Sequence, residues 1–359
     1  MKIWLKIITI VVIFLTFALP VSAEERVDEL ISEFMDIIPE GVGEKLDSSS
    51  ELTESVGFSA LVREIVATVT GEGGRVFGFF LLSFSAVIFT AVAAKIPSQL
   101  SEHVSVAIGI VFCTLVGAQL GGVYSSLKES ISEAGSFFAA LIPLFASITA
   151  LGGGAMTAGV QSVGMYTTLS LVGAFGDTVM LSVVGFGFAM GLLTAFGNEG
   201  AATVAGGVKS VFTWLLGILT TLISGTLALQ TTLSSAADSA AMRAAKYAAS
   251  GMIPVVGSTV SGALSTLASG LSYAKSFVGV GSIFALLSVL LSPLILLLLY
   301  RLSLSVSMIF SGFLGTAAAS RMLASFRYSV DTMCALYSLS AVLYILEIVL
   351  FIKNGVALS

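Results

Sequence analysis

Charged side chains are scarce in this sequence: of 359 residues only 10% are charged, whereas 56% are hydrophobic. An ordinary soluble domain carries about a quarter charged residues, so this chain cannot coat a water-facing globule. Disorder is excluded as well, because the apolar content is far too high. The composition therefore predicts a polytopic membrane protein, and its long apolar runs predict an all-α bundle of transmembrane helices.

Histidine and cysteine are almost absent, with one of the former and two of the latter. His103 lies in a short polar stretch, where we expect a solvated loop residue, and Cys113 and Cys334 lie in apolar runs without a CxxC motif. A zinc or copper site cannot be assembled from so few imidazole and thiolate ligands. We therefore expect no metal and no cofactor, and we expect the two cysteines to be small core residues.

Catalytic motifs are lacking too. The sequence contains no GxSxG, HExxH or Walker A pattern, each of which places reactive groups at fixed spacings. It also lacks a basic tract that could neutralise phosphates, which argues against nucleic-acid binding. We expect no catalytic residues and no enzyme activity.

The N-terminus has the pattern of a secretory signal peptide over residues 1–23. Two lysines precede an apolar run of 13 residues from Ile7 to Leu19, and small residues follow Pro20 up to Ala23. Thirteen helical residues reach only about 20 Å, which is short of the roughly 30 Å of a bilayer core. We expect cleavage after Ala23 rather than an uncleaved anchor, so that Glu24 onward begins outside the cytoplasm.

Residues 24–74 form an acidic segment that we expect to be extracytoplasmic. Two stretches, ended by Pro39 and by Gly71, repeat apolar residues at helical spacing. The first comprises Val27, Leu30, Ile31, Phe34, Met35 and Ile38, and the second Phe58, Leu61, Val62, Ile65, Val66 and Val69. Such amphipathic helices either pack on each other or on the membrane body, or they form a docking surface for a partner.

Residues 75–359 form the predicted membrane domain. Its apolar runs are 77–94, 104–123, 137–154, 160–196, 211–230, 283–320 and 331–352. Two runs are too long for one crossing, and we divide them at Gly176-Asp177 and at Arg301, which gives nine crossings. The segment 251–271 is rich in Gly, Ser and Thr, and it is either a tenth span or a re-entrant loop. We therefore expect about eight to ten spans, of undetermined orientation.

Two weak similarities suggest that the membrane domain consists of two similar halves, about 75–200 and 208–355. Ala-Ala-Lys ends at Lys95 and again at Lys246, and Pro143 and Pro293 interrupt later runs at nearly the same offset. Inverted repeats of this kind are common in transporters, but chance is an alternative explanation because alanine is abundant. Small-xxx-small pairs at 117/121 and 187/191 indicate closely packed helices.

A few ionisable residues lie among the apolar runs. Asp177 is either an intramembrane charge, which is costly and often functional, or part of a tight surface turn. Glu347 is expected to snorkel or to pair with Lys353. The three arginines at span boundaries are expected to be interfacial anchors: Arg301, Arg321 and Arg327.

The most informative stretch is 236–262. Asp238, Arg243 and Lys246 lie on an alanine-rich helical segment, and the apolar piece that follows is broken by Pro254 and Gly257. Arg243 and Lys246 share a helical face. This pattern fits a re-entrant element beside a polar cavity, and it fits a plain interfacial helix equally well.

At these residues the chain resembles the stage III sporulation protein AE family of endospore-forming bacteria. The shared order is D-x4-R-x2-K-Y-x2-S-x2-I-P-V-V-G-x3-S, here Asp238, Arg243, Lys246, Tyr247, Ser250, Ile253 to Gly257 and Ser261. The plan of signal peptide, short exported segment and many spans agrees over the whole chain.

The resemblance implies a role rather than a catalytic site. Members of this family belong to the mother-cell membrane side of a secretion-like channel complex that joins mother cell and forespore. An ATPase and ring-forming extracytoplasmic subunits are its implied partners, and the complex supports forespore development after engulfment. Two other functions stay open from the residues alone: a stand-alone secondary transporter of a small solute, and a membrane scaffold that transports nothing.

Overall fold

The computed structural model describes residues 27–38, 54–95, 98–198, 200–252 and 257–353, and within these ranges helices are the only regular elements. Helix α1 covers residues 27–37, and the other elements are α2 Glu54–Ala93, α3 Ser98–Leu151, α4 Ala155–Ala174, a π-helical turn Phe175–Val179, α5 Met180–Ala195, α6 Gly200–Met252, α7 Gly257–Phe313 and α8 Ala317–Lys353. The all-α prediction is confirmed. The predicted signal peptide and residues 253–256 lie outside the described residues.

Six helical segments in the described ranges are long and apolar enough to cross a membrane, fewer than the nine crossings counted from the sequence. The runs 104–123 and 137–154 both belong to α3, and Arg301 lies inside α7. The chain instead breaks after Phe313, at Gly315, whose φ is +67°. Charged and serine residues between the runs stay helical, because Lys, Arg and Glu are good helix formers.

The apolar runs are stacked end to end in two layers. Layer A contains 77–93, 104–123, 180–195, 302–313 and 317–330, and layer B contains 137–151, 155–174, 211–230, 283–300 and 332–353. In layer A the rings of Phe112 and Phe326 lie 6.2 Å apart, and in layer B those of Phe145 and Phe351 lie 3.8 Å apart. Because α3 has 54 residues and is about 81 Å long, the bundle is far taller than a bilayer core of roughly 30 Å.

Glycines allow close helix packing in layer A. A Cβ added at Gly117 would lie 2.6 Å from the ring of Phe188, and one at Gly191 would lie 2.7 Å from that of Phe326. Gly187 is packed directly against the Ser329 side chain. These contacts join α5 to α3 and α8, as expected where van der Waals packing drives helix association.

The N-terminal amphipathic helix α1 packs on the membrane body. Leu30, Phe34 and Ile38 are buried, and Phe34 meets the edge of the Phe277 ring of α7 at 6.1 Å. The second amphipathic stretch does not end at Gly71 as predicted, because α2 runs from Glu54 to Ala93 without a break. Part of its apolar face stays exposed, namely Val62, Ile65, Val66 and Val69.

The segment 251–271 is not a separate element over its described part. Residues 257–271 are the first turns of α7, and Pro254 lies outside the described residues. The chain forms two halves of three long segments each. The first comprises α2, α3 and the continuous segment of α4 and α5, and the second comprises α6, α7 and α8. The two halves run in opposite directions through the bundle, since α6 starts at the end where α5 finishes. A duplication stays a prediction.

Candidate functional site

A buried carboxylate joins three helices where layers A and B meet. The side chain of Asp331 on α8 is 4% exposed, and its two oxygens lie 2.5 Å from Lys209 Nζ of α6 and 2.6 Å from Arg301 Nε of α7. The Arg301 contact is an ion pair without hydrogen-bond geometry, since Oδ1 has no hydrogen-bond partner. Lys209 also lies 5.6 Å from the ring centre of Tyr328. We call Lys209, Arg301 and Asp331 the Asp331 cluster.

Sequence reasoning missed most of the Asp331 cluster. Lys209 and Asp331 are single charges at the edges of apolar runs, and their separation of 122 residues along the chain leaves no local spacing signal. Arg301 is not simply an interfacial anchor, because its side chain pairs with Asp331 within the bundle. The one available signal was the presence of one acid and two bases among otherwise apolar runs.

A polar stripe interrupts the apolar surface of α3 between the two layers. Its members recur at helical spacing and are all exposed: Ser125, Lys128, Glu129, Ser132, Glu133 and Ser136. No other described charge lies within ion-pair distance of Glu129 or Glu133. Exposed carboxylates are costly in lipid, so this stripe must face water or another protein.

Asp177 lies beside the polar stripe. It belongs to the π-helical turn, so the predicted tight turn at Gly176-Asp177 was wrong. Its carboxylate lies 2.9 Å from Lys128 Nζ, and both side chains are more than half exposed. A cavity of about 380 Å³ opens here between α3 and α4. Single π turns inside α-helices are frequent at functional sites.

Asp238 stabilises the start of α4 from a distance of more than 80 residues in the chain. Its oxygens accept hydrogen bonds from the backbone N–H groups of Met156 at 3.2 Å and Thr157 at 2.7 Å. A carboxylate at a helix N-terminus satisfies free donors and opposes the helix dipole. The motif residue Asp238 therefore has a structural role at this position.

Of the motif residues that follow Asp238, Arg243 has a described side chain. Arg243 is exposed, and its Nε donates to the carbonyl oxygen of Ser239 at 3.4 Å in its own helix. Lys246 lies further along α6, and Gly257 begins α7. Whether Arg243 and Lys246 face a cavity or a lipid interface stays a prediction.

Glu347 points into layer B rather than towards Lys353, so the expectation that it snorkels was wrong. It is 2% exposed, and Thr168 of α4 donates a hydrogen bond to its Oε1 at 3.0 Å. Gln161, on the same buried face of α4, is 4% exposed and has no partner for either side-chain atom. His103 is helical and exposed instead of lying in a loop. In the described ranges no three His, Cys, Asp or Glu residues are arranged to hold a metal ion.

Comparison with known proteins gives the family. The sequence model of stage III sporulation protein AE matches residues 42–355. Stage III sporulation protein AE of Bacillus subtilis (strain 168) is 22% identical over 283 residues, which cover 75% of this chain and 69% of that protein. No solved structure matches the chain. With six long apolar helices in the part of the chain that the structure describes and a match over most of its length, this chain belongs to the stage III sporulation protein AE family.

Proposed function

We propose that this protein is an integral membrane core component of a secretion-like channel complex that joins mother cell and forespore. It lies in the mother-cell membrane around the forespore, supports forespore development after engulfment and has no enzyme activity of its own. Its partners are an ATPase and ring-forming extracytoplasmic subunits of the same sporulation stage. Membership of the family supports this role.

The observation that carries the proposal is the polar stripe between two apolar layers. A bundle about 81 Å tall cannot place both layers in a core of roughly 30 Å. One layer and the stripe therefore lie outside lipid, where exposed apolar side chains need a protein partner. Layer A exposes Phe77, Phe89, Val111 and Phe313, and layer B exposes Val163, Trp214, Leu222 and Leu229, so either choice leaves a large apolar surface to cover.

Site-specific photo-crosslinking in sporulating cells tests this role. A photoreactive residue at Glu133, in the stripe, is expected to cross-link to another stage III sporulation membrane protein. The matched control is Leu115, which is exposed on the same helix but in layer A. The reversal Glu129→Lys with Glu133→Lys is expected to lower forespore gene expression and spore yield at matched protein levels. Wild-type sporulation with no protein adduct at Glu133 would contradict the proposal.

A second candidate function, a stand-alone secondary transporter, is favoured by one observation. Glu347 is a buried carboxylate with no described basic side chain within ion-pair distance, and such groups often mark ion pathways. A transporter should move its solute when reconstituted alone, and Asp177→Asn should weaken that flux. A complex component should show no flux without its partners.

A further inference from the structure

One buried face of α4 is lined with oxygen-bearing side chains, and at Gly164 and Thr168 this face meets α8. Thr157, Gln161 and Thr168 lie on this face and are 2%, 4% and 1% exposed. Glu347 reaches the same face from α8 and accepts the hydrogen bond from Thr168. We call these four residues the oxygen seam.

Gly164 makes room for the carboxylate in this seam. A Cβ built on Gly164 would lie 3.3 Å from Glu347 Oε1 and 3.8 Å from Oε2. The carboxylate therefore lies directly against the backbone of α4, one helical turn from Gln161. A larger residue at this position would push it away.

Several polar atoms of the oxygen seam have no hydrogen-bond partner in the protein. Neither the amide oxygen nor the amide nitrogen of Gln161 has a partner, and the hydroxyl of Thr157 has none either. Buried polar groups are normally paired with protein, water or an ion, because leaving them unpaired is costly. Water or an ion is therefore the expected partner of Gln161.

The charge of Glu347 is also unbalanced among the described residues. Its described partner, the Thr168 hydroxyl, is neutral, and a buried carboxylate must be paired or neutralised. A proton would neutralise the carboxylate, but the side-chain oxygens of Gln161 and Thr157 would still have no partner. Carboxylate, amide and hydroxyl oxygens are the ligands that hard cations prefer, and one carboxylate balances one positive charge.

We propose that the oxygen seam binds a monovalent alkali cation, Na⁺ or K⁺, with Glu347, Gln161 and Thr168 as ligands. The cation satisfies the amide oxygen of Gln161 and balances the carboxylate inside layer B. This site is independent of the partners of the protein, so it exists in the isolated chain.

Thermal unfolding of the purified full chain in detergent tests the site. At equal ionic strength, NaCl or KCl is expected to raise the unfolding midpoint by at least about 2 °C over choline chloride. Comparison of the two alkali salts identifies the preferred ion. The shift should disappear in Glu347→Gln and shrink in Gln161→Leu, and it should persist in Ser182→Ala, whose exposed hydroxyl bonds only its own helix.

Three results would overturn the site. Equal midpoints of the wild type in the three salts exclude it, as does an alkali-ion shift that Glu347→Gln retains. A midpoint that depends on pH but not on the cation would show a protonated carboxyl instead. If Glu347→Gln does not fold, Gln161→Leu and Thr168→Val decide the question, and a full shift in both contradicts the proposal.

Discussion

The carboxylate of Asp238 accepts a hydrogen bond at 2.7 Å from the backbone N–H of Thr157, in the first turn of a different helix. The usual N-cap position of α4 is Gly154, which offers no side chain. A Cβ at Gly154 would lie 3.0 Å from Thr149 Cγ2, so a capping Ser or Asp fits poorly there. The cap comes from Asp238 in the interior of α6 instead, and it ties the start of α4 to that helix.

Removal of this cap should destabilise the bundle. We expect Asp238→Ala to lower the free energy of unfolding by about 0.5–2 kcal/mol, and Asp238→Asn to lose less because its amide oxygen still accepts a bond. Thermal unfolding in detergent measures the difference. The control is Asp177→Ala, which removes an exposed carboxylate from the surface. Equal effects of Asp238→Ala and the control would contradict the capping role.

The Asp331 cluster should be sensitive to loss of its acid. Asp331→Ala leaves Lys209 and Arg301 without their shared partner, and we expect a loss of about 2–3 kcal/mol. This is below the roughly 3–5 kcal/mol of a fully buried pair, because the Lys209 and Arg301 side chains are 30% and 45% exposed. Urea or thermal unfolding of the variant measures it. Glu133→Ala is the control, and an equally small change in both would show that the cluster stabilises nothing.

Two glycines on α5 offer a matched pair for the packing of layer A. Gly187→Ala should cost about 1–3 kcal/mol through overpacking against Ser329, whereas Gly185 has nothing within 4 Å of its added Cβ. Gly185→Ala should be neutral or slightly stabilising, since alanine favours the helix. Folded yield and unfolding midpoint report both effects. A tolerated Gly187→Ala would mean that α8 moves away without penalty.

The extracytoplasmic location of 24–74 is tested by cysteine labelling. A cysteine at Ser49 should react with a membrane-impermeant maleimide on intact cells, because the signal peptide predicts export of this segment. The control is the protein without the new cysteine, which carries the buried Cys113 and the partly buried Cys334. Labelling that appears only after lysis would place the segment in the cytoplasm.

The role of Arg243 is tested by spore yield in cells that express Arg243→Lys or Arg243→Ala at matched levels. We expect Arg243 to face a polar cavity or a partner subunit through its planar guanidinium, so both variants should be defective, because lysine cannot reproduce that geometry. A defect in the alanine variant alone would indicate simple charge anchoring at the lipid interface. A fully functional alanine variant would exclude both roles.

Composition and periodicity predict the class of this fold and the helix α1 well, but they do not predict where the long helices begin and end. Arg301 and the Lys128–Glu133 region interrupt apolar runs, which is the usual sign of a loop between two spans. Here the same residues lie inside α7 and α3, and their charges meet Asp331 and Asp177 from other helices. A helix that continues through a charged stretch looks the same in sequence as two spans joined by a loop.

The candidate site was harder to predict because its contacts are distant in the chain. Asp177 was found as an isolated charge between apolar stretches, and Asp238 as part of the stretch 236–262. Their partners, Lys128 and the N-terminus of α4, follow no local spacing. Gln161 attracts no attention in sequence, since an uncharged amide within an apolar run is common. Only the packing of α4 against α8 shows that it is buried without a partner.

The π-helical turn Phe175–Val179 also determines which side of the helix faces α8 before and after the turn. Gly164 contacts Glu347 of α8, and Gly187, 23 residues later, contacts Ser329 of the same helix. At about 100° per residue, 23 regular residues would place the two glycines about 140° apart around the axis. The wide turn absorbs one extra residue and reduces this angle to about 40°. One face of the 41-residue segment Ala155–Ala195 can therefore contact α8 in both layers. The extra residue in the π-helical turn is what keeps the same side of this segment turned towards α8.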